Sequence, residues 1–79
     1  MSNIYEAVDA LVADLRAVGL GAWADRIATA VLAGVTGSEI LMAVRWNVQQ
    51  MLSLERDSLP ADTRSHASAV IAATTRLLG

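Results

Sequence analysis

The chain has 79 residues, a formal net charge of −2, a single His and no Cys. Disulfides and thiolate metal sites are therefore excluded, and one chain cannot build a multi-histidine centre. Acidic and basic residues are scattered, so there is no basic stripe for nucleic acid and no basic polar face for a membrane surface.

A chain this size buries roughly 60–65% of its unfolded surface on folding, enough for one modest core. Without disulfides or metals, its support must come from close helix packing or from self-association. Hydrophobic residues make up 54%, much of it Ala, and all six basic residues are Arg. This Ala- and Arg-rich, Lys-free composition looks like that of a bacterial gene of high GC content. The opening MSNIYEAVDALV carries acidic residues and no basic n-region, so it does not read as a signal peptide. No apolar run approaches the length of a membrane span, and the expected location is the cytoplasm.

The first predicted helix runs from about Asn3 to Val18. Ile4, Val8, Leu11, Leu15 and Val18 recur at helical spacing and form one stripe, with Glu6, Asp9 and Arg16 off it. Asn3 or Ser2 can cap its start, and Gly19 and Gly21 supply a stop and a tight turn. A second, short helix covers about Ala22 to Ala33, with Trp23, Ile27, Ala30 and Val31 on one face and Gly34 at its end.

The third helix, from about Gly37 to Glu55 or Arg56, has the clearest start. Thr36-Gly-Ser-Glu39 reads as a capping box, with the Thr36 hydroxyl accepting from a first-turn amide and Glu39 reaching back. The fourth begins near Pro60, with Ser58 as its expected cap. Thr63, Ala67, Val70, Ile71, Thr74, Leu77 and Leu78 form its apolar face. Four helices joined by short connections predict one all-α domain over residues 1–79, a compact antiparallel four-helix bundle. In a three-helix variant, the second helix is a cross-piece.

Little in the chain carries chemistry. His66 has Asp62 one turn before it and reads as a boundary histidine. Ser65 points about 100° away on the same helix and cannot pair with it. Glu6, Asp9 and Asp14 share a helix, and two of them would bind a metal only by pairing across an oligomer. Glu55 and Asp57 read as a solvated charge cluster at a helix end. The Gly-containing turns lack the strand and the Lys of a phosphate loop. No catalytic residue, cofactor or metal is expected. An enzyme reading would need Arg45, Glu39 and Asp25 to converge on a cavity.

The third helix is the informative element. On a helical wheel Ile40, Leu41, Val44, Val48, Met51 and Leu52 fill one arc, and Trp46 lies opposite its middle with Met42 and Leu54 flanking it. Either Trp46 packs under another helix of the same chain, or Met42, Arg45, Trp46, Gln49 and Gln50 form a partner surface, with Trp and Met as anchors and Gln as rim.

Ala17-Val-Gly-Leu-Gly-Ala-Trp-Ala-Asp-Arg-Ile27 and Gly34-Val-Thr-Gly-Ser-Glu-Ile-Leu-Met-Ala-Val-Arg-Trp46 together resemble a group of small uncharacterised bacterial all-helical proteins. The resemblance covers about half the chain and implies no established activity. In size and composition the chain is also similar to immunity proteins that neutralise bacterial toxins, a likeness that carries over no functional residue. The expected function is a protein-binding module, an immunity- or antitoxin-like protein that sterically blocks a toxin domain. The alternative is a homodimer or higher homo-oligomer with a structural or regulatory role.

Overall fold

The computed structural model describes residues 3–79 and shows an all-α bundle of four helices. They are α1 (Ile4–Ala17), α2 (Gly21–Ala33), α3 (Gly37–Leu54) and α4 (Ala61–Leu78), with a short 3₁₀ turn at Arg56–Ser58. Each helix packs against its neighbours in sequence, and α1 closes the ring by packing on α4. The α1–α4 pair is antiparallel: Ile4 and Ala7 share a groove with Ala73 and Leu77 at one end, while Asp14 meets His66 at the other.

The caps are written in the sequence. The Glu6 amide donates to Asn3 Oδ1 at 3.0 Å, so Asn3 caps α1; the alternative cap, Ser2, lies outside the described residues. At the other end of α1, Leu20 N–H donates to Leu15 O at 2.8 Å and Gly19 N–H to Arg16 O at 3.4 Å. This is a Schellman stop, and it needs the left-handed backbone of Gly19, whose φ is +85°.

Helix α2 is a full member of the bundle and not a cross-piece. Its Ala28 and Val31 lie beside Val8 and Val12 of α1, its Ala30 and Ala33 beside Ala43 of α3, and Trp23 in its first turn reaches Glu55 just past α3. Ala at these positions lets the helices approach closely. Gly34 then turns the chain so tightly that a Cβ there would run into the Ile40 side chain and lie 3.1 Å from its backbone nitrogen.

Two expectations at chain turns are corrected. Ser58 does not cap α4. It ends the 3₁₀ turn, its N–H donating to Glu55 O at 2.9 Å, and the residue preceding α4 is Pro60, which offers no side-chain cap. Between them, Leu59 is buried, an anchor that no periodic pattern announced because it lies outside every helix. The apolar stripes also fray at their ends: Val18 is 40% exposed and Leu77 59% exposed. Val18 is the C-cap beyond the last turn of α1, and Leu77 stands at the rim of a groove lined by the small side chains of Ala7, Ala69 and Ala73.

The core is what the stripes specify. Leu11 and Leu15 of α1, Ile27 of α2, Val44, Val48 and Met51 of α3 and Val70 of α4 are fully enclosed. Thr74 is buried among them without an orphaned hydroxyl, which donates to Val70 O and Ile71 O at 2.9 Å each. No described helix is long and apolar enough to cross a membrane.

Candidate functional site: the outer face of α3

Helix α3 begins where the sequence says. The Glu39 amide donates to Thr36 Oγ1 at 3.2 Å. The reciprocal half of the cap is displaced by one residue: Glu39 Oε2 accepts from the Val35 N–H at 3.3 Å instead of from Thr36. The result fixes the Glu39 carboxylate at the N-terminal edge of the helix's outer face.

From there the face is set by helix geometry. Val44, Val48 and Met51 point into the core, which turns Met42, Trp46 and Gln49 outward. Met42 and Trp46 are four residues apart, hence stacked one turn above the other. Each is 54% exposed. Trp46 therefore does not pack under another helix of the described chain, and this alternative is overturned. The reason is numerical: the two helices flanking α3 meet it on either side of its buried arc, and none is left to cover the third side.

The structure brings together four of the five expected contact residues. Met42, Arg45, Trp46 and Gln49 line one shallow groove of about 470 Å³ with Glu39 and Ala43. Gln50 is half-buried and does not line it. Arg45 sits at the seam with α4, its Nη1 donating to Thr75 Oγ1 at 3.5 Å, which holds the guanidinium beside the groove. The polar rim is thus one carboxylate, one guanidinium and one amide around two apolar side chains. Sequence reasoning gave Glu39 to the cap, or to a cavity shared with Arg45 and Asp25, and not to the contact face; its place in the groove follows from the i, i+3 spacing to Met42. It also missed Leu32 and Val35 in and after the last turn of α2, which are 85% and 88% exposed.

The arrangement offers an apolar contact surface with a polar rim. Asp25 does not converge with Glu39 and Arg45. It belongs to a separate groove between α2 and α3, and its carboxylate pairs with Arg16 at 2.8 Å. His66 is half-exposed and pairs through Nδ1 with Asp14 of α1, not with Asp62 on its own helix. Asp14 is thereby removed from the set of Glu6, Asp9 and Asp14. Among the described residues no three His, Asp or Glu side chains converge on a metal position.

Compared with known proteins, the chain matches no family model, no curated sequence and no solved structure. The functional reading rests on the geometry of this face.

Proposed function

We propose that the chain is a small protein-binding module that docks through the outer face of α3, and that it acts as an immunity- or antitoxin-like protein which covers a toxin domain sterically. The observation that carries the reading is the exposure of Met42 and Trp46, each at 54%, on a helix whose opposite face buries Val44, Val48 and Met51 in the core. Trp is enriched among residues that dominate binding energy, and a surrounding polar rim shields such anchors from water. Glu39, Arg45 and Gln49 supply that rim here. A rigid, capped helix presents the anchors at little entropic cost.

The test is co-purification of the chain with the product of an adjacent gene, followed by substitution. Trp46→Ala and Met42→Ala are expected to weaken the complex by about tenfold or more each, while leaving the helical signal and melting midpoint unchanged. Partner binding that survives both changes would remove this face from the function. Solution mass separates the alternative, a homo-oligomer through the same face. A dimer that dissociates on Trp46→Glu would assign the face to a second copy of the chain.

A further inference from the structure

At the far end of α3 from its cap, a hollow of about 450 Å³ opens between α3 and α4. Its walls are Leu52 and Ser53 of α3, Arg56 of the 3₁₀ turn, and Arg64 and Ser68 of α4. Its volume falls in the range of small-ligand pockets, about 300–1,000 Å³. Two arginines therefore line one hollow, on a chain whose formal net charge is −2. Among the described residues the ion pairs join Arg16 to Asp25 and His66 to Asp14, and neither Arg56 nor Arg64 takes part in one. Asp57 and Asp62 are close in sequence to these arginines, yet they are exposed and do not line the hollow.

Two arginines that line one hollow, neither of them ion-paired among the described residues, give it a positive potential. An anion in the hollow supplies the counter-charge that neither arginine has in an ion pair. Two guanidinium forks and two hydroxyls supply more donors than one planar carboxylate takes up, and their charge of +2 matches a phosphate dianion. The hollow is larger than a bare phosphate, and the half-buried Leu52 gives it an apolar wall. We propose that the Arg56–Arg64 hollow is a binding site for the phosphate group of a small organic phosphomonoester, with Ser53 and Ser68 as hydroxyl donors. The site is independent of Met42 and Trp46, none of which lines it.

Phenyl phosphate is a suitable probe, titrated into the isotopically labelled full chain at pH 7.5 and constant ionic strength, with amide and arginine Nε–H resonances as readout. Saturable shifts centred on Ser53, Arg56, Arg64 and Ser68 are expected. Arg56→Gln and Arg64→Gln should each weaken binding by about tenfold. Arg56→Lys and Arg64→Lys, which keep the charge and lose the fork, should also weaken it. Arg76→Gln, at the other end of α4, should leave it within about twofold, and benzoate should bind at least about tenfold more weakly than phenyl phosphate. Three results would overturn the site: no saturable shift, equal loss in Arg76→Gln, or benzoate binding as well as phenyl phosphate. All these arginines are exposed, so an unchanged amide spectrum outside the hollow verifies the fold in each variant.

Discussion

The indole N–H of Trp23 donates to Glu55 Oε1 at 3.3 Å, tying the first turn of α2 to the residue that ends α3. Arg26 covers the same ring from outside, its guanidinium carbon 4.5 Å from the ring centroid. One aromatic side chain thus fills the core, satisfies its polar edge and seats a surface cation. Trp23→Ala is expected to cost about 3–5 kcal/mol in urea unfolding, the range for emptying a buried aromatic site. Glu55→Ala, which strands the indole N–H, should cost about 1 kcal/mol. In the double variant the Glu55 effect should largely vanish, and additive losses would show that the hydrogen bond contributes nothing.

The two tryptophans differ in environment: Trp23 is 9% exposed and Trp46 is 54% exposed. Trp46→Phe should therefore remove most of the acrylamide-quenchable fluorescence and shift the remaining emission to the blue. Trp23→Phe should do the reverse. Equal quenching of the two single-Trp variants would contradict the exposed placement of Trp46.

Gly34 is required by close approach and not by its backbone angles, since φ is −72° and ψ 140°. Its missing Cβ makes room for Ile40. Gly34→Ala is expected to destabilise by about 1–3 kcal/mol, the usual cost of overpacking. Gly34→Ala combined with Ile40→Val, which keeps Cγ1 in place, should recover little of that loss. Combined with Ile40→Ala, it should show a clear non-additive rescue in a double-mutant cycle.

Thr36→Ala removes the oxygen that receives the Glu39 amide and should lower stability by about 0.5–2 kcal/mol. Thr36→Ser should restore most of it. Glu39→Gln keeps an oxygen for the Val35 amide and should be nearly silent in stability, so any effect on partner binding would report its place in the groove.

The fold was legible because local signals and the core agree. The stripes of α1 and α3, the Asn3 and Thr36 caps and the Gly19 stop all appear in the sequence and all occur in the structure. Features that depend on two distant segments meeting were not legible. Asp14 and His66 stand 52 residues apart, and no periodicity within α4 could choose Asp14 over Asp62. Arg56 and Arg64 face one hollow only because α4 folds back along α3. The outer face of α3 was half-legible: the wheel put Met42 and Trp46 opposite the core stripe, but only the bundle shows that no helix covers them. The wheel could not separate Gln50, one turn beyond Trp46 on the same face, from Gln49, which lines the groove.

The ring of four helices also bears on how the chain reaches its structure. Three of its four seams join consecutive segments, and α1 against α4 is the one that joins the two ends of the chain. Local seams close with little loss of chain entropy, so the nucleus should form among neighbouring helices and the α1–α4 seam should close late. Relaxation is expected on the microsecond-to-millisecond scale. Ala7→Gly and Ala69→Gly at that last seam should accelerate unfolding more than they slow folding, a split that chevron measurements read directly.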